Sequence, residues 1–326
     1  MELKLQEYIV AIEKNGNMTE AAKQLFITPS ALNQQLLRLE KELGIPLFTR
    51  NRRKLVPTEA GRIYLDAAHQ MLALQQSVCA RLADLSACHS GTYHVGLTFE
   101  HGTDLFARIY PLFHQKYPGI SVQCHQLLVP EMLDMLRRGE LTLAFILTGN
   151  PSRHTDVEYR KLSEENLLLG LPRSHRFAYL GTPPDDPCTT IDLRLLEKDS
   201  FCMALENSTM RQDLINPIFA QENIQPHVIM ESSFNGFLEQ LAALGMCNTI
   251  IPQSRVHNRQ DIVWFYLPGQ PRFQFGVTYQ KGFVLNKALR YFIELAHQDA
   301  MCHMNFPSPA SDRTPLHRAE ALGKRS

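Results

Sequence analysis

Hydrogen-bonding side chains recur along one face of the segment that starts at Thr28. Thr28 and Pro29 are typical of a helix start, because a Thr hydroxyl can cap free backbone N–H groups and Pro has no N–H to leave unsatisfied. Leu32 and Leu36 then predict the buried face of this helix. The opposite face carries groups that can hydrogen bond to base edges or phosphates: Ser30, Asn33, Gln34 and Arg38. This set of side chains therefore predicts that the helix recognises a nucleic acid.

A basic cluster follows this helix at Arg50, Arg52, Arg53 and Lys54. The net charge of the whole chain is zero, so only this local excess of cations points to a polyanion. A charge run is usually a solvated surface. Directly after a helix that can read bases, it favours sequence-independent attraction to phosphate. We therefore predict that the cluster contacts the DNA backbone.

Two further helices precede this segment and would position it. Apolar residues at helical spacing predict a first helix that ends at the turn 15–17, and Thr19 is placed to cap a short second helix. Ala21 and Ala22 give the second helix a small inner face, which lets two helices cross closely. Residues 1–58 therefore predict a winged helix-turn-helix domain. Its DNA-binding residues are Thr28, Pro29, Ser30, Asn33, Gln34, Arg38, Arg50, Arg52, Arg53 and Lys54.

The first sixty residues resemble the winged helix-turn-helix of LysR-type transcriptional regulators. The resemblance is carried by residues 21–25, 30–32, 39–50 and 58–61, without a gap. Pro29 stands where relatives commonly have Gln, and Asn33-Gln34 replace a frequent Ser-Arg pair. These positions lie on the face expected to read bases. The resemblance therefore implies binding to double-stranded DNA without saying which DNA sequence is recognised.

Residues 59–88 predict a linker helix with one continuous apolar stripe. Between residues 58 and 86 there is no Pro, and Gly61 in the first turn is the one Gly. Such a helix runs about 40 Å and must bury its stripe. The resemblance implies a matching helix of a second subunit, and packing on the chain's own second domain is the alternative. The predicted dimerisation residues are Ile63, Ala67, Met71, Leu74, Val78 and Leu82.

The expected assembly is a homodimer on an operator with two-fold symmetry, because a two-fold dimer reads two symmetric half-sites. Association of the effector domains would join two dimers into a homotetramer. The last segment, 303–326, has clustered Pro and Ser and almost no apolar pattern, which is typical of a disordered tail.

Strand-like and helix-like segments alternate from residue 91 to residue 302, which predicts a mainly parallel α/β sheet. These segments include a strand predicted from Asn166 and a helix predicted around 192–198. The same stretch resembles the effector-binding domain of the LysR family, through residues 112–118, 136–141, 169–175 and 245–252. The implied fold of this stretch is two α/β subdomains like a periplasmic solute-binding protein. The chain as a whole is thus expected to be an α+β multidomain protein, with the winged helix-turn-helix and the linker helix preceding these subdomains. Subdomain I would comprise 92–162 and 268–302, and subdomain II 163–267. A small anionic metabolite would bind in the cleft between them.

The effector site is expected where strands end and helices begin, because free N–H groups at helix starts favour anions. A helix predicted to start at Asp104 would be capped by Thr103, and a helix predicted from Thr209 follows a similar turn. Each hydroxyl could equally be a plain helix cap. The candidate effector-binding residues are Thr98, His101, Gly102, Thr103, Leu128, Val129, Thr148, Asn207, Ser208 and Thr209.

The remaining residue types exclude several other classes of protein. No pair among the seven cysteines has Cys-x-x-Cys spacing and no His/Cys cluster predicts a metal site or any other cofactor. No apolar run of 18 residues and no signal peptide occur, so we expect a cytoplasmic protein with no membrane partner.

Two alternatives remain at this stage. A thiol-based redox regulator of the same family would use a reactive Cys near the turn 206–211, where this chain has none. An α/β enzyme could use His101 and Glu100 as acid and base, but no nucleophile or Gly-rich phosphate loop accompanies them, and no catalytic residue is predicted.

Overall fold

The computed structural model describes residues 3–51, 54–85, 90–181, 189–257 and 260–303. The chain divides into two compact units. Within the described residues, unit 1 contains 3–163, 204–217 and 273–303, and unit 2 contains 164–203 and 218–272. The predicted tail lies outside the described residues, apart from residue 303.

The N-terminal part of unit 1 is a winged helix-turn-helix. Its core joins residues of all three helices with the hairpin, and Ile9, Ile12, Ala21 and Leu32 are fully buried. The side chain of Asn17 caps the second helix by accepting from two backbone N–H groups, so the cap is not Thr19 as predicted. The elements are α1 (Lys4–Asn15), α2 (Met18–Gln24), α3 (Pro29–Leu43), β1 (Phe48–Asn51) and β2 (Lys54–Pro57).

The hairpin of β1 and β2 is fixed to the helices by polar contacts. Glu40 Oε1 accepts from the N–H groups of Leu47 and Phe48 at 2.7 and 3.1 Å. The Thr58 hydroxyl donates to the Pro46 carbonyl at 2.7 Å. A Cβ on Gly61 would lie 2.0 Å from the Leu47 carbonyl oxygen, so this position requires glycine. These contacts explain why the motif positions around 40 and 58–61 have those residue types.

The linker helix α4 (Glu59–Leu85) has 27 residues and is about 40 Å long. One face packs on α1 and buries Leu65, Ala68, His69 and Ala73. The predicted stripe lies on the other face. Of its members, Val78 is half-buried and the rest are exposed: Ile63, Ala67, Met71, Leu74 and Leu82.

The rest of the described chain is α/β. The elements in chain order are β3 (Gly91–Leu97), α5 (His101–Lys116), β4 (Ile120–Gln126), α6 (Val129–Arg137), β5 (Leu143–Thr148), β6 (Val157–Pro172), β7 (Ser200–Met203), α7 (Asn216–Gln221), β8 (His227–Glu231), α8 (Asn235–Ala243), β9 (Asn248–Pro252), β10 (Ile262–Tyr266), β11 (Arg272–Gln280) and α9 (Lys287–His303).

Each unit has a mixed sheet. In unit 1, β3 pairs in parallel with β4 and β5, and β11 is antiparallel to β5. In unit 2, β7 pairs in parallel with β8 and β9, and β6 is antiparallel to β9 and β10. Two of the boundaries between unit 1 and unit 2 fall inside strands, one in β6 and one in β11. In each unit it is this strand that pairs antiparallel with its neighbours. The α/β class is confirmed, with a larger antiparallel share than the alternation predicts.

Several element starts differ from the prediction for local reasons. Helix α5 begins at His101 rather than Asp104, because the Thr98 hydroxyl accepts from the Gly102 N–H at 2.9 Å and satisfies the first turn. Strand β6 begins at Val157 rather than Asn166, since its polar first half hides the strand pattern. The helix predicted around 192–198 is a short 3-10 turn, and α7 is preceded by a π-helical turn, Arg211–Ile215.

The segment 204–217 belongs to unit 1, whereas the sequence places it in subdomain II. The Thr209 hydroxyl donates to the Leu147 carbonyl at 3.0 Å, and Asp213 pairs with Arg153 at 2.9 Å. A Cβ on Gly149 would lie 2.8 Å from a Leu214 methyl carbon, so the two backbones approach closely. The segment therefore packs beside the end of β5.

Candidate DNA-binding surface and effector site

The N-terminal half of α3 presents the predicted base-reading side chains. Thr28 Oγ1 caps the helix by accepting from the Ala31 N–H at 3.2 Å, and it lies 3.1 Å from Ser30 Oγ. Pro29, Ser30 and Gln34 are exposed, whereas Asn33 is half-buried. Asn33 therefore offers less of its amide to a partner than Gln34 does.

Basic side chains follow this half of α3 along the chain, first at Arg38 and then in the hairpin. Arg38 Nε lies 3.1 Å from Glu42 Oε1, and both side chains are largely exposed. Such a surface pair is weak, so the Arg38 guanidinium can exchange Glu42 for a phosphate. In the hairpin, Arg50 and Lys54 are exposed in neighbouring pairs of the ladder. The predicted contacts Arg52 and Arg53 lie outside the described residues.

Most candidate effector residues meet at the carboxyl edge of the unit 1 sheet. Leu97 of β3 lies opposite Gln126 of β4, so these two strands end together, and β5 continues from Phe145, opposite Leu97, to Thr148. The residues that follow those strands are Thr98, Leu128 and Val129, with Thr148 closing β5. The first turns of α5 and α6 also lie at this edge, and Thr209 reaches it through its bond to Leu147. Of the apolar candidates, Val129 is buried and Leu128 half-buried.

The hydroxyls at this edge are largely used by the fold. Thr103 donates to the carbonyls of Phe99 and Glu100 at 2.7 and 2.9 Å, so it is not the predicted helix cap. Ser208 donates to the Leu205 carbonyl at 2.7 Å, as Thr209 does to Leu147. Because a hydroxyl has one hydrogen, these groups have no donor left for an anion.

Thr98 and Thr148 differ from the other hydroxyls because each accepts a bond from a backbone N–H. Thr98 accepts from Gly102, and Thr148 accepts from Asn150 at 3.2 Å. The hydrogen of an accepting hydroxyl remains available to donate. The Thr148 oxygen also lies 3.3 Å from His154 Nε2, whose pKa is lowered mainly by burial, so a neutral ring can accept that hydrogen. Thr98 is thus the clearest candidate donor to a ligand.

His101 is placed as a core residue. Its side chain is 3% exposed and its ring centroid lies 5.8 Å from those of Phe273 and Phe275. The ring packs edge to face on Phe273 and tilted against Phe275, which positions it without exposing it to a substrate. The acid–base chemistry that His101 and Glu100 suggested is therefore not supported by the surroundings of the ring.

Two buried polar side chains were missed by the sequence interpretation. Arg211 is 4% exposed and bonds the Ala204 carbonyl, Asn216 and Glu206 at 2.8–3.0 Å, which fixes the turn 204–211. His69 of α4 is 3% exposed. Nothing in the type or spacing of these residues marks them, because their partners are defined only by the fold.

His69 connects three parts of unit 1. Its Nε2 atom lies 2.9 Å from Glu13 Oε2 in α1, and its Nδ1 atom lies 2.8 Å from the Arg138 carbonyl after α6. Each ring nitrogen thus lies within hydrogen-bonding distance of an acceptor, and a neutral ring can donate to one of them. Close by, Lys14 and Glu140 form a second contact between the same two regions at 3.7 Å. The linker helix is thus bonded both to the DNA-binding domain and to the α/β part.

The described cysteines divide into buried and exposed groups. Cys202 and Cys247 of unit 2 are buried, and burial together with the neighbouring Cys202 raises the pKa of the Cys247 thiol. The turn 206–211 contains no thiol. The exposed members within the described ranges are Cys79, Cys124 and Cys302.

Two other kinds of feature are absent from the described ranges, a metal site and a membrane-spanning helix. No group of three or more His, Cys, Asp or Glu side chains there could hold a metal ion. No helix in the same part of the chain is both long and apolar enough to cross a membrane.

Comparison with known proteins gives matches along most of the chain. A family model described as the LysR substrate binding domain matches residues 87–300, and a model of the bacterial regulatory helix-turn-helix proteins of the lysR family matches residues 3–62. A probable RuBisCO transcriptional regulator of Emiliania huxleyi is 30% identical over 210 residues, 64% of this chain and 67% of that protein. The corresponding protein of Cyanophora paradoxa is 31% identical over 219 residues, 67% of this chain and 65% of its own.

The curated relatives are matched over about half to two thirds of their length. Solved structures match more of the chain at lower identity. Full-length OxyR from Pseudomonas aeruginosa gives a TM-score of 0.64 at 21% identity and covers 92% of this chain and 94% of that one. CbnR, a LysR family transcriptional regulator, gives 0.53 at 20% identity and covers 92% and 99%. These likenesses show a shared fold. With both family models matched, the chain belongs to the LysR family of transcriptional regulators, with an N-terminal helix-turn-helix and a C-terminal effector-binding domain.

Proposed function

We propose that this regulator reads a two-fold symmetric operator with the N-terminal half of α3. Ser30, Asn33 and Gln34 would contact base edges, and Thr28, Pro29 and Arg38 the sugar-phosphate backbone. The observation that carries this assignment is the exposed polar face of α3 at its capped end. The division into 1–58, 59–88 and 91–302 follows from the same assignment.

The hairpin would supply attraction that does not depend on sequence. Arg50 and Lys54 are both exposed, in neighbouring pairs of the hairpin ladder, and each can neutralise a phosphate. Arg52 and Arg53 share their sequence context and are proposed to act in the same way.

The exposed stripe of α4 supports a homodimer. Its opposite face is already buried on the same chain, so the stripe, with Ile63 70% and Leu74 57% exposed, is the face left for a second copy. Burial of a stripe this long is typical of helix pairing between subunits. Association of dimers into a homotetramer through the effector domains is the next step of the same proposal.

The effector is proposed to be a small anionic metabolite bound at the carboxyl edge of β3, β4 and β5. The first turns of α5 and α6 lie at that edge, where the positive ends of the helix dipoles favour an anion. The Thr98 hydroxyl adds a donor. Leu128 gives the site some apolar surface.

Control by thiol oxidation is the second candidate, and the buried thiols argue against it. The pKa of the Cys247 thiol is raised, which lowers its reactivity, and Cys202 lies fully inside the sheet. We also infer that the protein is cytoplasmic, needs no cofactor and is not an enzyme, because the surroundings of His101 do not suit acid–base catalysis. A DNA footprint that peroxide alters in the parent, but not in a Cys188/Cys202/Cys247 triple Ser variant, would instead support the redox candidate.

DNA binding is tested by an electrophoretic shift with DNA from around the protein's own gene. The expected result is a shifted complex that survives excess random DNA and leaves a two-fold symmetric footprint. Equal competition by random DNA would contradict sequence-specific recognition.

Effector binding is tested by thermal unfolding of the full chain with a panel of small carboxylates and phosphates. A ligand at 100 times its Kd stabilises the folded state by about 2.7 kcal/mol, which raises Tm. The Thr98→Val variant should lose most of the shift, whereas Thr98→Ser, which retains the hydroxyl, should keep it. The same shift in the Val variant would place the ligand elsewhere.

A further inference from the structure

Phe26 has an unusual conformation for an aromatic residue. It lies in the turn between α2 and α3, its φ angle is +56°, and its side chain is 97% exposed. Left-handed backbone is unfavourable for a bulky L-residue, because its Cβ crowds the neighbouring carbonyl. The protein thus retains a strained aromatic side chain at one of its most exposed positions.

The turn itself does not need an aromatic residue. Its backbone bonds run from the Phe26 N–H to the Lys23 carbonyl at 3.2 Å and from the Ile27 N–H to the Ala22 carbonyl at 3.0 Å. Glycine or asparagine could make them at lower conformational cost. Packing of the turn is supplied by Leu25 and Ile27, which are half-buried against the core. The Phe26 side chain contributes neither to these backbone hydrogen bonds nor to the packing of the turn on the core.

Other left-handed positions in the described ranges follow the usual preference. Gly16 and Gly44 end α1 and α3 with φ angles of 58° and 71°. The non-glycine examples besides Phe26 are the polar residues Asn223 and Gln270. A single exposed apolar residue is ordinary on a protein surface. An exposed aromatic ring held in strained backbone is not, and such strain is concentrated at functional sites.

The position of Phe26 indicates what it contacts. It lies two residues before the cap Thr28, at the end of α3 where Pro29 and Ser30 are exposed. Recognition helices insert their N-terminal residues into the major groove. The apolar group on the floor of that groove is the C5-methyl of thymine, and Phe is among the side chains that contact it.

We propose that Phe26 is a specificity-determining DNA contact whose ring packs on a thymine methyl in each half-site. The inference rests on the proposed insertion of α3 into the major groove. It extends base reading from the helix into the preceding turn and adds an apolar contact to the polar ones.

The test compares Phe26→Gly with the parent on the footprinted operator and on random DNA. We expect an equal or higher Tm, because the strain is relieved, together with about 5- to 20-fold weaker operator binding and little change on random DNA. Gln270→Gly relieves the same kind of strain in unit 2 and should leave both affinities unchanged. Unaltered operator binding by Phe26→Gly, or an equal loss on both DNAs, would overturn the proposal.

Single thymine-to-deoxyuridine exchanges in the operator then locate the methyl. At one position in each half-site the exchange should weaken the parent and have no further effect on Phe26→Gly. Failure to find such a position overturns the methyl contact. Gln34→Ala separates this inference from the one it rests on. If Gln34→Ala weakens operator binding and Phe26→Gly does not, only the role of Phe26 is wrong, and if neither weakens it, the insertion of α3 is wrong as well.

Discussion

The capped end of α3 and the carboxyl edge of the unit 1 sheet carry similar polar residues, but the fold uses them differently. At α3, the cap of Thr28 is made internally while Ser30 and Gln34 remain exposed. At the sheet edge, the hydroxyl groups of Thr103 and Thr209 donate their hydrogens to backbone carbonyls. A polar residue in a suitable sequence pattern therefore indicates a ligand contact only where its side chain keeps a donor or acceptor that no hydrogen bond within the protein uses.

The largest expected effect concerns the assembly that presents α3 to DNA. Met71→Glu combined with Leu74→Glu places two charges on the exposed stripe of α4, and repulsion should release monomers. Loss of the second half-site should weaken operator binding about 100-fold or more, because linked binding sites gain affinity of that order. Light scattering and a DNA shift measure the two effects.

Leu244→Glu is the matched control, since Leu244 is an exposed leucine of unit 2. It should remain dimeric. If the α4 variant stays dimeric and the Leu244 variant becomes monomeric, the main interface lies in the effector domain. The exposed stripe of α4 would then be an ordinary surface.

The next effect concerns the connection between the two regions. His69→Leu removes the buried ring that bridges the half-buried Glu13 carboxylate and the Arg138 carbonyl. We expect a loss of about 1–3 kcal/mol in the free energy of unfolding, since a hydrogen-bonding group left without its partner away from water is costly. Thermal and urea unfolding measure it. His297→Leu, at an exposed histidine of α9, should change stability by less than about 0.5 kcal/mol. Equal small losses would make the His69 contacts incidental.

A smaller effect separates base reading from phosphate attraction. Replacing Arg50 and Lys54 with Gln should lower the slope of log affinity against log salt by about one unit per lost phosphate contact. The preference for operator over random DNA should stay nearly constant, because the hairpin reads no base. Lys198→Gln, an exposed lysine of unit 2, should leave the slope unchanged. An unchanged slope in the hairpin variant would show that Arg50 and Lys54 contact no phosphate and are ordinary solvated surface residues.

The sequence predicts the regions formed by local interactions best. The three N-terminal helices follow from apolar spacing and from caps such as Thr28, whose partner lies three residues away. The start of β6 is missed because its first half is polar. The packing of 204–217 with unit 1 is missed because Thr209 and Leu147 are 62 residues apart.

Contacts at long sequence separation explain the other omissions. His69 lies 56 residues from Glu13 and 69 from Arg138, so no local pattern could pair them. Thr98 and Thr103 look alike in sequence, and only the geometry shows that one accepts and the other donates. The location of the candidate effector site can therefore be predicted from the sequence. Which hydroxyl group at that site can still donate to a ligand cannot.

The central claim is that α3 reads bases and that the sheet edge does not. The most direct measurement is the ratio of operator to random-DNA affinity in Gln34→Ala and in Thr98→Val, at one salt concentration and without added ligand. We predict that Gln34→Ala loses about 1–3 kcal/mol on the operator and little on random DNA, so its ratio falls, whereas Thr98→Val keeps the parent ratio. An unchanged ratio in Gln34→Ala, or a fall confined to Thr98→Val, would contradict the account.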